Sequence, residues 1–139
     1  MTGPEQPPLP GPEHARVPPP LLVAAGLVGV EALLLVGYGV VLLPAISSSR
    51  VAMGVTTPLF FLVYGAGLGA AAWLLVRLRS WVRAPVVLAQ LIQLGVAWSF
   101  HGGGATGVGV ALGVLALLVL AGIFHPASIR ALSEDDAAV

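Results

Sequence analysis

The sequence predicts an all-α membrane protein, a four-helix up-down-up-down transmembrane bundle. Three observations carry this reading. The first is composition: the 139 residues are 58% hydrophobic and 9% charged, against about 25% charged residues in an ordinary soluble domain. With a mean hydropathy of +0.99, so short a chain cannot fold most of its apolar surface inward, because small domains leave a large share of their surface exposed. The second is the presence of four separate apolar runs, each close to the ~20 residues that span a bilayer. The third is the shortness of the connections, which makes consecutive helices antiparallel neighbours. Strands are disfavoured because open sheet edges cannot lie in hydrocarbon.

Residues 1–20 carry Pro4, Pro7, Pro8, Pro10, Pro12, Pro18, Pro19 and Pro20. Proline lacks an amide donor and fixes φ, so this segment reads as an extended or disordered, proline-rich cytoplasmic tail. It is no secretory signal, since Glu5 and Glu13 accompany a single Arg16 and the apolar run that follows is too long. The transmembrane domain covers 21–125. Its first span, 21–43, ends at Pro44, and its second, 53–76, has Pro58 near the start. The third, 82–101, has Pro85 in the first turn, where a missing N–H costs nothing. The fourth, 105–124, is closed by Pro126, and 126–139 reads as a cytoplasmic tail with an acidic end at Glu134, Asp135 and Asp136.

The arginines give the orientation. With four spans, Arg16, Arg77, Arg79, Arg83 and Arg130 fall on one side and Arg50 alone on the other. Positive residues favour the cytoplasmic face, so both termini and the middle connection are expected in the cytoplasm. Trp73, Trp81 and Trp98 lie near span ends, where indole rings prefer the interface.

Without a hydrophobic drive between helices in lipid, small residues that allow close approach do much of the packing. Ala25/Gly29 in the first span, Gly65/Gly69 in the second and Gly109/Gly113 in the fourth have this spacing. They serve either packing within the chain or a dimer face.

Glu31 is the one charged residue deep within a span. An ionised side chain at the bilayer centre costs about 2.5–3.5 kcal/mol on insertion scales, so Glu31 should face the bundle interior and either find partners or take up a proton. At a rise of about 1.5 Å per residue, Tyr64 and Gln93 reach a similar depth, and Gln90 lies one turn away on the Gln93 face. Glu31, Tyr64, Gln90 and Gln93 are therefore the candidate intramembrane polar cluster, which Tyr38 could extend outward. It reads either as interhelical glue or as a proton- or substrate-binding site.

Other chemistry is not indicated. The absence of cysteine removes disulfides and thiolate chemistry. His101 and His125 fall at opposite ends of the spans and cannot share a metal, and the glycines at 102–104 follow no strand, so they are no phosphate loop. No catalytic, cofactor or metal site is assigned, and the chain reads as non-enzymatic. A formal net charge of zero gives no pull toward nucleic acid. Its partners are the lipid bilayer and either another membrane protein or a second copy.

Val30-Glu31-Ala32-Leu33, the run from Arg83 to Leu91 (RAPVVLAQL) and His125-Pro126-Ala127 with Arg130-Ala131-Leu132 together resemble the small four-span integral membrane proteins of actinobacteria. That resemblance covers most of 20–132. It implies a bacterial inner-membrane address and topology but no activity, since the function of those proteins is largely unknown. Glu31 alone is also similar to the first-helix glutamate of small multidrug resistance transporters. Their later aromatic motifs are missing here, and the proline tail is foreign to them.

Overall fold

The computed structural model describes residues 16–45 and 51–137. The proline-rich segment through residue 15, with His14, the Ser/Arg connection 46–50 and the last two residues lie outside the described part. Five helices follow in order: α1 (Pro19–Leu42), α2 (Val51–Val76), α3 (Arg83–Ser99), α4 (Thr106–Phe124) and α5 (Pro126–Ala137). Short 3₁₀ turns at Leu43–Ala45 and Ser80–Val82 extend α1 and lead into α3. Four of the helices are long and apolar enough to cross a membrane, the third counted from Ser80. The fold is an all-α four-helix membrane bundle, and the chain is a multi-pass membrane protein.

Pro19 and Pro20 belong to α1 rather than to the tail. Pro18 is extended, and the next two prolines occupy the first turn, where their preset φ suits the helix and their missing N–H groups would have no partner. Pro58 falls inside α2 because that helix begins at Val51. Buried within the protein, such a proline is tolerated in a span.

The helices run antiparallel in chain order around the bundle. α1 packs most extensively on α2, then on α4; α3 packs on α4; the α2–α3 side is the loosest; α1 and α3 face each other across the diagonal. Glycines set the closest approaches. A Cβ on Gly65 would come within 2.8 Å of Val36 Cγ2 and 3.0 Å of the Ala32 carbonyl. On Gly109 it would meet the Ala97 carbonyl at 2.7 Å, and on Gly122 the Pro20 carbonyl at 2.7 Å. Thus a glycine lets backbone approach backbone at each of the α1–α2, α3–α4 and α1–α4 interfaces. Gly69 and Gly113 sit against Ala32 and Ala97, whereas Gly29 has nothing near it, so Ala25/Gly29 is not a packing pair.

The buried core is concentrated at the end of the bundle where α1 begins and α4 ends. Leu21, Leu75, Val82, Val119, Ile123 and Leu132 are wholly buried there. Leu132 is the unexpected member, because 126–139 reads as a solvated tail. His125 is extended and lets the chain turn, and its Nδ1 accepts the Ala127 N–H at 3.2 Å, capping α5. Ser128, fully buried, donates to the Gly122 carbonyl at 2.7 Å. These bonds fold α5 back so that Leu132 plugs the base of the core. Ser128→Ala should cost about 1 kcal/mol, the net worth of one such bond, read as a lower midpoint in an SDS unfolding titration.

Candidate functional site

In α1 the buried residues Leu21, Ala24, Ala25, Val28, Glu31 and Ala32 recur every three or four positions, so they form one helical face. Glu31 lies on it because the bulky Leu33 and Leu34 are turned outward. On α3 the same logic turns Val86, Ala89 and Gln90 inward. The two faces meet across the bundle diagonal, where backbones are too far apart to touch and only long side chains can bridge.

The bridge is made of amides on a carboxyl group. Gln90 Nε2 donates to Glu31 Oε2 at 2.8 Å, and Gln93 Nε2 donates to Glu31 Oε1 at 2.8 Å. Gln93 also donates to the Leu112 carbonyl of α4 at 3.2 Å, so one amide joins three helices. Glu31 is 4% exposed and Gln90 is 0% exposed. The carboxyl group is thus held by neutral donors inside the protein rather than by a cation. The low dielectric of the interior strengthens such hydrogen bonds. One atom is left over: Gln90 Oε1 is buried and accepts no hydrogen bond.

Of the residues expected in the cluster, Glu31, Gln90 and Gln93 are brought together by hydrogen bonds. Tyr64 is not joined to them by a hydrogen bond; it stacks its ring on Phe60, with centroids 5.6 Å apart. Tyr38 does not extend the cluster; it is exposed and meets Phe61 edge-on at 5.1 Å. Leu112 was not expected in the site, since a backbone carbonyl inside a span leaves no trace in residue type. No protein-family model, curated protein or solved structure matches this chain. The site must therefore be read from its own geometry.

His101 is exposed at the far end of the bundle and stacks on Trp98, while His125 is spent on the α5 cap. Trp73 carries the Arg77 guanidinium over its ring at 4.3 Å. A side chain so placed is amphipathic, with a charged tip over an apolar base, and suits a membrane interface.

Proposed function

We propose that the chain is a non-enzymatic structural or accessory component of a bacterial inner membrane, with both termini in the cytoplasm. In this reading the buried carboxyl group is the clasp that fixes the register of its helices. What carries it is the double use of Glu31: each oxygen is taken by a different glutamine, and one of these also holds α4. A group engaged on both sides by its own chain is suited to setting helix position. The excess of arginine at one end of the bundle supports the orientation. A fluorescent reporter that matures only in the cytoplasm should light up when fused to the C-terminus, and a dark fusion would reverse the assigned sidedness.

The functional test is extraction from native membranes in mild detergent, followed by sizing and mass-spectrometric identification of what co-purifies. A partner present in fixed ratio, and kept equally by Glu31→Gln, is the expected result. A partner-free dimer that releases protons on binding a ligand, and loses this in Glu31→Gln, would overturn the proposal.

That second outcome belongs to the alternative reading, a small proton-coupled transporter, which one observation favours. A half-turn of the Gln90 amide exchanges Nε2 for the unpartnered Oε1. The carboxyl group, once protonated, could then donate to Gln90 instead of accepting from it. Glu31 could thus take up and release a proton without moving a helix.

A further inference from the structure

An outward-facing groove of about 440 Å³ runs between α3 and the end of α4, lined by Arg83, Ala84, Val87, Leu88, Leu91 and Phe124. We infer that it holds an anionic phospholipid, with one acyl chain along the apolar floor and the phosphate on Arg83. The argument is independent of the role of Glu31.

The floor is a single face of α3, since 84, 87, 88 and 91 follow helical spacing. From Arg83 to Leu91 it extends about 12 Å, the length of a substantial part of an acyl chain. Leu88, Leu91 and Phe124 are exposed from the protein side and therefore available to lipid. Any span offers apolar surface to acyl chains; what selects a headgroup is the single charge at the groove's mouth. Arg83 is the first residue of α3 and half-buried, so its position is fixed by the helix rather than by a loop. The positive end of the helix dipole adds to its field. Exposed Trp81 stands two residues before it, and among the described residues no other arginine lines the groove. A basic mouth over an apolar slot at the end of a span is the arrangement that recognises anionic lipid headgroups.

The test is native mass spectrometry of the full chain, delipidated in mild detergent and titrated with phosphatidylglycerol or phosphatidylcholine. One phosphatidylglycerol per chain should be retained in preference to phosphatidylcholine. Arg83→Gln should weaken phosphatidylglycerol binding about 5-fold, as loss of one basic residue near an anionic surface implies, while leaving phosphatidylcholine unchanged. Leu88→Trp, which fills the groove but keeps Arg83, should also reduce retention. Arg79→Gln, outside the groove, should bind as the wild type does. Equal retention of the two lipids, full binding by Arg83→Gln, or an equal loss in Arg79→Gln would each overturn the proposal.

Discussion

Gly65→Ala is expected to destabilise the bundle by about 1–3 kcal/mol, the usual cost of forcing an extra group into a packed interior. Of the three nearest atoms that the new Cβ would meet, two belong to the α1 backbone: the Ala32 carbonyl at 3.0 Å and the Val36 amide nitrogen at 3.0 Å. A flexible side chain could swing away from such a contact, but a helix backbone cannot, so α1 and α2 must move apart along their most extensive interface. Gly65→Val should prevent assembly outright. The matched control is Gly67→Ala on the same helix, where a Cβ meets nothing within 4 Å. There the change should be neutral or stabilising by up to about 1 kcal/mol, since alanine is the better helix former. SDS unfolding titrations of the two alanine variants, followed by circular dichroism, measure the difference. Equal midpoints would refute glycine-mediated packing of α1 on α2.

Glu31→Ala should have the next largest effect. Its removal leaves the Gln90 amide unpaired in the interior, while Gln93 keeps its bond to the Leu112 carbonyl, and a buried orphan costs about 1–3 kcal/mol. Interhelical hydrogen bonds in membranes are on average worth less, near 0.6 kcal/mol, because the unfolded chain in the bilayer also finds partners. A value between these bounds, about 2 kcal/mol, is expected. Glu31→Gln should cost far less. Its carbonyl can accept from Gln93, and its amide can donate to Gln90 Oε1 after that side chain turns, so both hydrogen bonds at position 31 are kept and one Gln90 atom stays unpartnered as before. A variant with leucine at 31, 90 and 93 together should regain much of the lost stability, because replacing all partners at once leaves no orphan. Such a variant, stable but inactive in the cell, would show that the polar site is kept for more than holding the helices together.

Span number, order and antiparallel arrangement were legible in the sequence because lipid permits few alternatives to an apolar helix of bilayer length. Depth was legible too: in an antiparallel bundle, distance from a span's end translates directly into height, which is how Glu31, Gln90 and Gln93 were matched. Rotation was not. α1 is apolar all round, so hydropathy does not say which face is inside, and the small residues that do mark it include Gly29, which touches nothing. The same uncertainty made Tyr38 a possible extension of the cluster, although it is exposed. Gly122, with one of the closest approaches in the bundle, was invisible because no small residue precedes it by one turn and its partner is a proline carbonyl. α5 was hidden by its charges. Only the pairing of Ser128 with Leu132, one turn apart and both buried, separates it from a loose tail.

The seat of that last helix has a consequence for the order of events during synthesis. Leu132 is buried at the base of the bundle, and α5 rests on α1, on α4 and on the turn leading into α3, which are the first span, the last span and the middle connection. No chain that stops short of α4 offers all three surfaces. α5 follows the four spans in the chain, so it docks on surfaces that the earlier helices supply. A bundle with a missing or misplaced span therefore has no complete seat for α5, and Leu132 is left without the pocket that buries it.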